Sequence, residues 1–168
     1  MGAMAKNKYN FVLTKPLNPK TMEYAFYRRI TSVSEPSPFE VVKITSSQDA
    51  ANYARKFYHD DISLYESFFI LMLNQANDTI AYAKISQGGV SGTVVDIKIV
   101  CKLAVDNLSS SVIFIHNHPS GSLSPSNADK ELTKKAANAL SFLDVKLFDH
   151  IILTEHSYTS FADSGIMS

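Results

Sequence analysis

SVIFIHNHPSGSLSPSNAD, from Ser111 to Asp129, sets an unbroken apolar run directly against two histidines, a turn rich in proline and serine, and an aspartate. SVIFI has no polar alternation and reads as a strand covered on both faces, as central strands between helix layers are. Side chains alternate along an extended chain, so His116 and His118 leave the strand on the same side and can converge on one ion. Asp129 follows His116 by thirteen residues. The loop between them holds Pro119, Gly121 and Pro125, which favour a sharp turn, and Asp129 falls in the first turn of a helix that can swing its carboxylate back to the strand end. Two neutral histidines and a carboxylate form a catalytic zinc shell that leaves a fourth position for water. Such an ion acidifies water and polarises a carbonyl. The same residues also suit helix-start chemistry alone: Ser126 with Asp129 is an S-x-x-D pattern close to a capping box.

A hydrolytic metal site needs a group that takes a proton from water and passes it to the leaving group. Glu66, directly before the apolar run FFILML, is the best-placed candidate, since a buried strand there would hold it beside SVIFI. An exposed residue at a strand end is the plain alternative.

Outward from this segment, the pattern predicts a layered α/β domain. SFFILMLN and DTIAYAKIS, joined by the turn-like NQAND, read as a hairpin. TSSQDAANYARKFY supplies a serine cap and Ala50, Tyr53, Ala54 and Phe57 at helical spacing, a short helix ending near His59. Gly88, Gly89 and Gly92 break the hairpin pattern before Asp96, an N-cap for a second helix with Ile97, Val100, Ala104 and Leu108 on one face. Cys101 beside them reads as a small buried hydrophobe. A third helix runs from about Asn127 to Leu143, with Leu132, Ala136, Leu140 and Leu143 inward and Lys130, Lys134 and Lys135 outward. FDHIILT and SYTSF close the chain as strands; His150 either faces the site or packs in the sheet, with packing the favoured reading, Tyr158 and Phe161 read as packing residues, and His59 and His156 as surface residues. Residues 1–6 look like a cloning remnant. Residues 7–43 form a β-like arm, from the runs YNFVL, EYAFYRRI and FEVVKI broken by Pro16, Pro19, Pro36 and Pro38.

At 168 residues and 45% hydrophobic content, the chain can bury one real core, so one compact domain is expected. Sixteen basic and sixteen acidic residues cancel, leaving no global field to hold nucleic acid or an anionic membrane. The longest apolar stretch, Phe68 to Leu73, is far short of the roughly 20 residues that span a bilayer. A single cysteine and the lack of an apolar leader fit a soluble, cytoplasmic protein.

H-x-H, seven residues, then S-x-x-D is the signature of JAMM (MPN-domain) metalloproteins, filled here by His116, His118, Ser126 and Asp129. HNHPSG, LDVKLFDHIILT and NQANDTIAYAKISQGGVSGTVVD resemble, more narrowly, the JAB domain of the RadC family, from about Ile44 to Asp163. That resemblance implies a RadC-like JAB (MPN) domain over residues 44–168, with a cytidine-deaminase-like α/β fold of a mixed sheet flanked by helices. It implies one zinc ion held by His116, His118 and Asp129, Ser126 helping to stabilise an oxyanion, and a glutamate preceding the first core strand, here Glu66, as acid and base. Two departures stand out. Lys84 occupies a place in the second hairpin strand where many RadC-like sequences have an acidic residue, and residues 7–44 lack the pattern of the helix-hairpin-helix module of full-length RadC proteins.

The leading expectation is therefore a zinc-dependent hydrolase. It would cleave a peptide or isopeptide bond, with Glu66 activating zinc-bound water and a peptide or protein substrate laid beside the FFILML hairpin. A DNA-repair or nucleic-acid accessory is the second reading, for which Lys130, Lys134 and Lys135 are the nearest feature. A solvated helix face is the better explanation of those lysines. A catalytically silent MPN scaffold is the third. Edge strands in the proline-interrupted arm offer a pairing surface between chains, and the sequence does not fix the oligomeric state.

Overall fold

A computed structural model of the chain describes residues 35–58, 62–89 and 94–167. The ribbons expected at Tyr9–Leu13 and Glu23–Ile30, along with His59 and Gly92, lie outside them. FEVVKI forms no strand; its one bridge joins Lys43 to Asp78. The unit Ser37–Ser168 opens with α1 (Ser47–Ala54), which continues as a 3-10 turn, Arg55–Phe57. The hairpin β1 (Ser67–Leu73) and β2 (Thr79–Gln87) follows, then α2 (Ile97–Asp106), β3 (Ser111–Asn117), α3 (Asn127–Ser141), β4 (Lys146–Leu153) and β5 (Tyr158–Ser160).

The strands lie in the order β2-β1-β3-β4-β5, antiparallel except for β3 and β4, which run parallel and are joined through α3. This is the mixed α/β sheet expected, and SVIFI is its middle strand. Every residue of β1 and β3 is buried, because alternate side chains enter opposite cores. Phe69, Leu71, Ile113, Ile115 and Ile151 pack with Ala51, Tyr53 and Phe57 of the α1 side. Phe68, Ile70, Val112 and Phe114 pack with Val100, Ala104, Ala136 and Leu140 of α2 and α3. Each large apolar side chain so buried stabilises the fold by about 1.5–3 kcal/mol.

Caps set the helix starts. Ser46 accepts from the Asp49 amide, Asp96 from that of Lys98, and Ser126 from that of Asp129. The ends of α2 and α3 come earlier than the apolar spacing suggests. Leu108 and Asp144 take left-handed backbone (φ +50° and +55°), and the Ser109 and Val145 amides close back on Ala104 and Leu140 carbonyls at 2.9 and 3.1 Å. Leu108, expected on the inner face, is thus 86% exposed, and Leu143 is also exposed. No glycine marks either stop, so apolar spacing alone overruns them.

Candidate metal centre

The His-His-Asp cluster comes from the end of β3 and the start of α3. His116 is the penultimate residue of β3, and His118 prolongs the strand by one rung, its amide donating to the Leu153 carbonyl at 2.9 Å. Extended backbone through both turns their rings to one face, where the Nε2 atoms stand 3.0 Å apart. Asp129 enters from α3. Its Oδ2 accepts from the Ser126 amide and hydroxyl at 2.7 and 2.6 Å. This capping box leaves Oδ1 directed at His116 Nε2, 3.4 Å away. His116, His118 and Asp129 each offer a ligand atom within 4.8 Å of the others. The sequence pairs these residues, and the fold brings them together.

Hydrogen bonds behind the cluster fix which nitrogens carry protons. The Thr133 hydroxyl donates to the Asp129 carbonyl at 2.6 Å, so at 2.7 Å it accepts from Nδ1–H of His150. Burial holds His150 well below the ordinary histidine pKa, with His116 and His118 pushing the same way. Neutral His150 therefore presents a bare Nε2, and His116 donates to it from Nδ1 at 2.8 Å. Burial also lowers His116 to about 4, partly opposed by Asp129, so its Nε2 is a lone pair at neutral pH. His118 donates from Nδ1 to the Ser122 carbonyl at 2.8 Å, which leaves its Nε2 bare in the neutral ring.

With both rings in the neutral form, two lone pairs and a carboxylate oxygen face one another, an arrangement that a cation stabilises. Bonds of about 2.0 Å to a tetrahedral ion set its ligand atoms about 3.3 Å apart, close to the 3.0 and 3.4 Å separations found. The donor set fits a divalent metal.

A family model, the RadC-like JAB domain, matches residues 44–166. The chain belongs to this family. Among curated relatives, a UPF0758 protein of Flavobacterium johnsoniae is 47% identical over 124 residues, covering 74% of this chain and 53% of the relative. A UPF0758 protein of Porphyromonas gingivalis is 40% identical over 61% of this chain and 45% of its own length, and UPF0758 protein NMC1174 of Neisseria meningitidis is 37% identical over 76% and 56%. The chain spans about half the length of the curated relatives it matches.

In this RadC-like JAB chain, Glu66 lies one residue before β1 and half-buried. Its amide and carbonyl pair with the Gly89 carbonyl and Gly88 amide at 3.2 and 2.8 Å, prolonging the β1–β2 ladder. Extended backbone puts Glu66 on the same face as Phe68, which pairs with His116 and stacks on its ring at 5.8 Å. Lys84 pairs with Phe69 and lies over that ring, so it faces the α1 side. The JAB-domain position where Lys84 stands therefore looks away from the histidines.

His150 does both things weighed for it: it is buried in the sheet and it reaches the site, bracing His116 from behind, a bond the spacing alone did not give. Its signal was its place in the strand beside SVIFI, thirty-four residues from His116. Phe161 is buried too, its ring 4.5 Å from that of His150. Tyr158 packs against the α1 core. His156 and the lysines Lys130, Lys134 and Lys135 are exposed, and Cys101 is half-buried with its thiol pKa raised by burial. No helix among the described residues is long and apolar enough to cross a membrane.

A cleft of about 280 Å³ adjoins the site past the ends of β3 and β4, lined by His118, Pro119, Gly121, Ser63, Thr154 and Glu155 among others. Arg55 holds its Thr154–Ser157 rim, donating to the carbonyls of Thr154, Glu155 and Ser157 at 2.7, 2.9 and 2.9 Å.

Proposed function

We propose that this chain is a zinc-dependent hydrolase acting on a peptide or isopeptide bond, with His116, His118 and Asp129 holding zinc and Glu66 as acid and base. The observation that carries the reading is the gathering of His116 Nε2, His118 Nε2 and the Asp129 carboxylate within 4.8 Å of one another. Zinc, when bound, supplies Lewis acidity toward water and toward a scissile carbonyl.

The chain's own residues do the rest. Glu66, at the mouth of β1 on the histidine face, takes a proton from the attacking water and delivers it to the leaving amine. Ser126 holds Asp129 with its hydroxyl; to donate to a developing oxyanion, that hydroxyl must first swing away from the carboxylate. The cleft beside His118 receives the extended substrate. Phe68, stacked on His116, keeps water from the inner side of the site.

The test is elemental analysis of protein purified without added metal, beside His118→Ala, followed by a peptidase and isopeptidase screen with Glu66→Gln. Near-stoichiometric zinc that His118→Ala loses, with chelator-sensitive cleavage that Glu66→Gln lowers by about 100-fold or more while keeping its zinc, is the expected result. A protein that takes up no zinc even on reconstitution, or one whose cleavage survives Glu66→Gln, overturns the proposal.

A further inference from the structure

The middle residue of His116-Asn117-His118 turns to the opposite face of β3 from its neighbours. Asn117 is fully buried, and its amide bonds to one segment only. Its Oδ1 accepts from the Ser67 amide at 2.8 Å, and its Nδ2 donates to the carbonyls of Ile62 and Tyr65 at 2.5 and 2.7 Å. Both amide protons are used, and the three partners bracket Glu66. Ile62 to Glu66 has no helix or strand of its own, so this stretch takes its shape from outside. On one side the Glu66 backbone is tied to Gly88 and Gly89 beyond β2. On the other, Asn117 ties the residues flanking Glu66 to β3. Fixing Ser67 on the Asn117 face fixes Glu66 on the other, the face of Phe68 and His116.

We propose that Asn117 is a positioning residue: it holds the Ile62–Ser67 segment so that Glu66 stays in register with His116 and His118, and it takes no part in holding metal. One tripeptide then arranges both halves of the site, with two ligands on one face and the strut for the base on the other. The inference rests on the proposed role of Glu66. A residue that merely satisfies buried backbone groups would stabilise the fold equally but leave Glu66's relation to the metal unchanged, and that difference can be measured.

The variants are Asn117→Asp, which keeps the acceptor for Ser67 but loses both N–H donors, Asn117→Ala, and Glu66→Gln. Each is made in the full chain and examined for zinc content, amide exchange by mass spectrometry, and the visible spectrum of the cobalt-loaded protein. Where peptide cleavage is found, kcat and KM are added. We expect Asn117→Asp to keep its metal and to exchange about tenfold faster across residues 62–67 while β3 and β4 stay protected. Its cobalt spectrum should shift in the manner of Glu66→Gln, and kcat should fall by about 100-fold with KM within about twofold. Adding Glu66→Gln should cause no further loss.

Unchanged exchange at residues 62–67 overturns the proposal. So does faster exchange with a wild-type spectrum and kcat, which makes Asn117 a structural strut only, and so does loss of metal in both Asn117 variants. A Glu66→Gln spectrum identical to wild type also overturns it, by removing Glu66 from the metal's surroundings. If wild type binds cobalt but cleaves no peptide, the hydrolase proposal fails while exchange and spectrum still decide the role of Asn117. If wild type binds no metal, both fail.

Discussion

His116 Nδ1 lies 2.8 Å from His150 Nε2 in a part of the sheet closed to solvent. His150 is in turn held by Thr133, whose hydroxyl donates to the carbonyl of Asp129. The backbone of one proposed ligand thereby sets the ring of another. His150→Phe fills the space but leaves His116 Nδ1–H without an acceptor. Metal affinity, measured by competition with a chelator, should fall by about 10–100-fold. Thr133→Val, one step further back, should cost less. Equal affinity in His150→Phe and wild type would show that His116 needs no brace.

Burial lowers His116 to about 4 and His150 in the same direction. Between the unfolded value near 6.5 and the folded value, the unfolded chain binds protons that the folded one refuses, so stability rises with pH there. Metal-free protein should hold its urea midpoint above about pH 7 and lose it as pH falls from about 6.5 toward 4. Replacing His116 by Gln should flatten that slope, and an unchanged slope would place the titration elsewhere.

Ser126 caps α3 and grips Asp129 in the same set of bonds. Ser126→Ala should destabilise the fold by about 1 kcal/mol in chemical denaturation. It should also weaken metal binding, because Asp129 Oδ2 loses a donor. A loss of stability with full affinity would limit Ser126 to helix-start chemistry.

Arg55 reaches three carbonyls of the turn between β4 and β5. These bonds are partly open to solvent, which reduces their worth, and Arg55→Ala should cost about 1–2 kcal/mol. Thermal melting checks this. Amide exchange should rise in Thr154–Ser157, the rim of the cleft beside His118; a rigid rim in the variant would mean that β4 and β5 hold it unaided.

What the sequence made legible was local. SVIFI showed its burial by lacking polar alternation, and HNHPSGSLSPSNAD carried the proposed ligands, the turn and the helix start within one segment. The missed contacts join distant parts. His150 bonds across thirty-four residues and Asn117 across fifty, and neither type announces a partner. A register shift opposite Val112 and Ile113 also alters the phase of β4, so counting along FDHIILT does not give the face of His150. The helix ends at Leu108 and Asp144 were missed because a leucine and an aspartate take the turn that glycine usually marks.

The separations also imply an order of assembly. His116, His118 and Asp129 close a loop of only thirteen residues, a small entropic cost that a largely unfolded chain can meet. The brace from His150 and the clamp from Asn117 wait for the sheet to form, since pairing across such distances comes late and slowly. A chain still folding would therefore hold an ion loosely before it could use one. On the proposed function, capacity to bind would arrive ahead of capacity to react, keeping the site inert until β1 and β4 have closed on either side of β3.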